Sequence, residues 1–122
     1  MKNKSYFFSE NIYHRNYHII MGNRIYAKYI FKKYYNHDYD GSQALGCMGG
    51  YKNIQTKKYN TIIWCSKYCV SNLIHEITHA VLTTMEYIQM PNESSAQEAY
   101  CYYHQWLFRA IIEATGYKNW KI

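Results

Sequence analysis

The alternation of apolar and polar residues divides the chain into short segments of differing period. Residues 17–21 (YHIIM) form a dense apolar run that ends at Gly22 and reads as a strand. Asn23 supplies the side-chain oxygen that a helix start needs. Ile25, Tyr29, Ile30, Phe31 and Tyr34 then fall roughly on one side of a helix reaching about Tyr35. Residues 36–42 read as a loop. Residues 43–51 mix apolar side chains with Gly46, Gly49 and Gly50, the composition of a weak, bulged or edge strand. A polar stretch rich in lysine and asparagine fills 52–60.

Residues 61–65 (TIIWC) make the clearest strand, β-branched and aromatic. The period then changes. Between about Lys67 and Ile88 apolar residues stand at 69, 70, 73, 74, 77, 80, 81, 85 and 88, the stripe of an amphipathic helix, with Ser66 or Ser71 available as its cap. The sole proline, Pro91, lies in the break at 90–94. A last helix is expected from about Ser95 to Ala114, stopping before Gly116. Strand, helix, strand, strand, helix, helix gives an α+β domain over residues 1–122, a small mixed sheet covered on one face by the long helix and its packed C-terminal neighbour.

Composition narrows the function classes. The 122 residues are 48% hydrophobic with 16 tyrosines, enough to bury a core and unlike a disordered chain. The formal charge of +6 raises nucleic acid as a partner. The charge is unevenly spread, however. Residues 1–70 hold eleven Lys or Arg against three acids (+8), and residues 71–122 hold three against five (−2). No basic run exceeds Lys32-Lys33 or Lys57-Lys58, which suit the solvated end of a helix and a turn better than a clustered nucleic-acid footprint. No apolar stretch approaches the ~20 residues of a membrane span. The N-terminal residues lack the apolar segment of a secretory signal, so a cytoplasmic location is expected. Cys47, Cys65, Cys69 and Cys101 have neither C-x-x-C spacing nor disulfide-scaffold density and are expected as free, mostly buried thiols.

The long helix carries His75-Glu76-Ile77-Thr78-His79. At 3.6 residues per turn His75 and His79 lie one turn apart on one face, able to converge on a metal at about 2.0–2.1 Å for Zn–N. Glu76 is turned 100° from His75, beside the metal rather than on it, where a carboxylate can accept a proton from water. A catalytic zinc needs a third protein ligand and one open position. Glu86 is two turns along the axis and too distant. Glu98 opens the last helix, which the break folds back against the first, and is the favoured third ligand. His104, six residues on and 240° round, points elsewhere if Glu98 points in. Ser95 through Glu98 also spell a capping box, in which Glu98 would bond backbone instead, although 94–97 offers the same box one residue earlier. Leu82 and Met85 stand where a metzincin has glycine and histidine, which excludes that arrangement.

Residues 73–82 (LIHEITHAVL), 90–93 (MPNE) and 98–107 (EAYCYYHQWL) resemble small phage-type metallopeptidases of the zincin superfamily, gluzincin-like in the third ligand. The resemblance implies a minimal zincin-like fold, a Zn2+ cofactor held by His75, His79 and Glu98, and a peptidase with Glu76 as general base. It also implies a host-cytoplasm setting if the gene is a phage's. In that family a tyrosine follows the acidic residue by four positions, which here is Tyr102, the candidate donor to the oxyanion. A peptide substrate is then the expected partner, added as a strand to a sheet edge at 43–51 or 61–65. Two rivals stand beside this reading. One is a non-catalytic zincin-fold protein with zinc as a clip between helices, and the other is a nucleic-acid-associated protease resembling SprT-type enzymes, which use histidine as third ligand.

Overall fold

The structure, a computed structural model, describes residues 2–41, 45–91 and 94–122, and of Ser95 only the backbone. The N-terminal segment, in which the hydrophobic pattern suggests no element, forms strand β1 (Lys4–Glu10). A turn over residues 11–14 returns the chain as β2 (Arg15–Met21), antiparallel to β1 with Glu10 opposite Arg15. Strand β1 escapes notice in the sequence because its burial is partial and does not alternate cleanly.

Asn23 caps α1 (Arg24–Tyr35), its side chain accepting from the Tyr26 N–H at 2.8 Å, and Asn36 ends the helix in the left-handed conformation at φ 49°. The buried face of α1 is Ala27, Ile30, Phe31 and Tyr35, so the expected side is shifted. Ile25 and Tyr29 face solvent, because the i, i+3, i+4 set centred on the small Ala27 lets the helix approach the sheet.

The chain then forms the hairpin β3 (Gly46–Lys52) and β4 (Tyr59–Cys65), in which the polar stretch contributes a turn held by Asn53, whose side chain accepts from the Gln55 and Thr56 N–H groups. Of the expected weak strand at 43–51, residues 43 and 44 lie outside the described residues. The sheet order is β1-β2-β4-β3, with β2 and β4 parallel and the outer pairs antiparallel. Residues 61–65 are therefore interior, not an edge; the edges are β1 and β3.

Helix α2 (Val70–Tyr87) follows β4, and α3 (Gln97–Thr115) follows a 3-10 turn at Ser94–Ala96. Neither is started by a side-chain cap. Ser66 donates instead to the Leu45 carbonyl and Ser71 pairs with the Cys69 thiol, while the side chain of Ser95 lies outside the described residues.

The sheet is covered on both faces, not one. Alternate residues of the central strands point opposite ways. Tyr17, Ile19, Met21, Ile63 and Cys65 pack with α2 and α3, whereas Ile20, Ile62 and Trp64 pack with α1. Double burial explains why β4 reads as a continuous apolar run. A polar tie reaches across the first layer. The buried Glu10 carboxylate accepts from the Tyr13 N–H and from the Tyr103 hydroxyl at 3.0 Å, and that hydroxyl also pairs with Tyr17.

Candidate metal centre

Helix α2 is fixed in rotation by what it buries. Leu73, Ile77, Ala80, Val81, Thr84 and Met85 face the sheet or α3, which turns His75 and His79 outward. Their Nε2 atoms lie 3.3 Å apart, with the rings edge to face. Tetrahedral coordination with Zn–N bonds of about 2.0–2.1 Å puts two ligand nitrogens about 3.3–3.4 Å apart, so the separation matches that geometry. The ligand atoms of His75, Glu76 and His79 all lie within 4.8 Å of one another, and the two imidazoles suit zinc, with the Glu76 carboxylate beside them.

Glu76 differs from its neighbours in burial. It is 7% exposed while both histidines are exposed, because it turns toward the start of β3. A Cβ added to Gly46 would stand 2.5 Å from the Trp64 carbonyl oxygen, so the approach of β3 to β4 requires glycine there, and 3.5 Å from Glu76 Oε2, which puts the carboxylate in contact range beneath the strand. Desolvation raises the Glu76 pKa above its ordinary value, and the adjacent His75 and His79 act in the opposite sense.

Helix α3 contributes differently from expectation. Glu98 lies exposed in its first turn and is not part of the three-residue cluster. Tyr102, one turn on, is 65% exposed and lines an apolar groove with Ile12, Tyr13 and Trp106. The buried tyrosine of this helix is Tyr103, bonded to Glu10. His104, which the sequence turned away from the site, is half-buried with Nε2 3.3 Å from Thr78 Oγ1, the residue preceding His79. Because the Thr78 hydroxyl donates to the Ile74 carbonyl at 2.8 Å, His104 Nε2 is the donor in that pair. Cys101, expected in the packed interface, is exposed beside a groove lined by Val81, Leu82 and Tyr100. Of the other thiols, Cys65 is buried and Cys47 and Cys69 are half-buried, and all four are free.

The sequence missed two participants near the centre. For Gly46 the available signal is a glycine in an edge strand, which marks a close approach. For His104 no local signal exists, since the register of α3 on α2 decides it. No protein-family model, curated protein or solved structure matches the chain.

Proposed function

We propose that this protein is a zinc-dependent peptidase of minimal zincin type. The observation that carries the reading is the 3.3 Å separation of His75 Nε2 and His79 Nε2 on an exposed helix face, with the Glu76 carboxylate beside them. The zinc, when bound, supplies Lewis acidity toward water and the scissile carbonyl. His75 and His79 hold it on a rigid helix. Glu76, shielded by the β3 edge, takes a proton from the attacking water and passes it to the nitrogen of the leaving amine, so one carboxylate serves as base and then as acid. Glu98 is the proposed third ligand and Tyr102 the proposed donor to the oxyanion. What supports both is the resemblance, since neither residue belongs to the His75, Glu76 and His79 cluster.

The substrate is an extended peptide lying along the outer edge of β3, which pairs with no further strand among the described residues and passes Glu76 at Gly46. Glu76→Gln is expected to keep one zinc per chain and to lower cleavage of an unstructured protein substrate by about 10²–10⁴-fold, while His75→Ala loses the metal. Metal analysis and a cleavage assay on the same preparations decide the matter. Undiminished cleavage by Glu76→Gln would sink the mechanism.

A further inference from the structure

A cavity separate from the histidines lies at the C-terminal end of α2. It has a volume of about 680 Å³ and is bounded by the β1–β2 turn, the β3–β4 hairpin and the C-terminal end of α2, with His14, Arg15, Asn16, Lys58, Asn60 and Tyr87 among its walls. Tyr87 is eight residues beyond His79 on α2, about 12 Å along the axis, so this cavity is separate from the metal face.

Its chemistry is one-sided. Arg15, Lys58 and His14 contribute cationic or protonatable groups, and among the described residues no carboxylate lines the walls. Arg15 is the most committed of these groups. Its guanidinium rests over the Tyr87 ring at 4.7 Å from the centroid, which holds the planar fork in place. Its Nε is buried without a hydrogen-bond partner, so the guanidinium is short of its full set of acceptors within the fold. The nearest candidate within the fold is Glu10, opposite Arg15 across the hairpin. The Glu10 carboxylate bonds the Tyr13 N–H and the Tyr103 hydroxyl and makes no ion pair with Arg15. Among the described residues neither Arg15 nor Lys58 forms an ion pair.

We infer that this cavity is a site for a phosphomonoester, with Arg15 gripping the phosphate and Lys58 supplying a second positive charge. A fixed Arg fork accepts phosphate or carboxylate, but two permanent cations with a histidine alongside match a dianion better than a single carboxylate. The size of the cavity leaves space for the rest of a small phosphorylated molecule, with the exposed Tyr59 as an adjoining surface. The inference stands apart from the peptidase reading, because none of its residues belongs to the metal face.

Calorimetric titration of the zinc-loaded protein at constant ionic strength tests it, using inorganic phosphate, adenosine monophosphate and a single-stranded oligonucleotide without a terminal phosphate. Phosphate and the nucleotide should each saturate one site. Arg15→Ala should weaken both by about tenfold or more, and Arg15→Lys should fall between it and the parent. Lys58→Ala changes an exposed side chain, so its expected loss of affinity stands even if Arg15→Ala folds poorly. His75→Ala should bind phosphate as the parent does, which separates this site from phosphate captured by zinc. No saturable binding to the parent protein would overturn the inference. So would binding lost in His75→Ala but kept in both basic-residue variants, or an oligonucleotide that binds as tightly with the same dependence on Arg15.

Discussion

Glu76 and Gly46 show how a carboxylate is sheltered by the backbone of an edge strand. The carboxylate lies directly beneath Gly46, whose missing side chain is required by the close Trp64 carbonyl oxygen. Alanine there would bring a methyl to 2.5 Å from the Trp64 carbonyl oxygen, a contact that forces β3 away from β4 and so moves the cover over Glu76. Gly46→Ala is therefore expected to cost about 1–3 kcal/mol in urea unfolding and to lower cleavage while leaving zinc content intact. A variant with parental stability and activity would contradict this account. The neighbouring tyrosines of α3 make the same point about rotation. Tyr102 and Tyr103 are one residue apart, yet one is 65% exposed and the other is 3% exposed and bonded to Glu10, since a helix turns 100° per residue. With tyrosines so common in the chain, residue type alone could not distinguish them.

Among the elements, α2 was the most legible, because its apolar stripe at 73, 77, 80, 81 and 85 sets both the helix and the direction in which His75 and His79 face. Its boundaries were less so, and the serines expected to cap it bond elsewhere. The register of α3 against α2 has no such local code. It sets His104, not Glu98, against the turn that holds His79. Zinc affinity measured by competition with a chelator resolves what each contributes. Glu98→Ala is expected to weaken zinc about 10–100-fold, short of the loss in His75→Ala, with a smaller effect from His104→Ala. The reverse order would transfer the third ligand to His104. Equal losses in both variants would indicate four protein ligands and a structural zinc, the clip between helices.

For the molecule as a whole, the covering of the sheet by helices on both faces has a consequence for pH. His18 lies on β2 under α1, fully buried, stacked on Phe7 and bonded through Nδ1 to the Tyr35 hydroxyl at 2.6 Å. Burial pushes its pKa down from 6.5 to about 3. In that window the unfolded chain binds a proton that the folded protein refuses, so stability is full above about pH 6.5 and falls as pH drops toward 3. Urea midpoints should decline from about pH 7 to 5, above the range in which ordinary carboxylates titrate, and His18→Gln should flatten that decline. An unchanged slope in the variant would remove His18 as the cause. None of the described helices is long and apolar enough to cross a membrane. The positive charge of the first half is spread between exposed helix and turn lysines and the cavity around Arg15, which only the assembled sheet brings together.

The sequence by itself determined the α+β class, the strand 61–65, the helix bearing the H-E-x-x-H motif and the shared face of its two histidines. These depend on period and on spacing within one element, which are local properties of the chain. Tertiary structure decided the rest. Strand β1 exists because β2 offers it a ladder, and β4 is central because β2 and β3 flank it. Glu76 is shielded because Gly46 lies above it, and His104 meets Thr78 because α3 packs in one register. Each of these is a contact between residues far apart in sequence, set by which buried surfaces fit together and not by any pattern along a single segment.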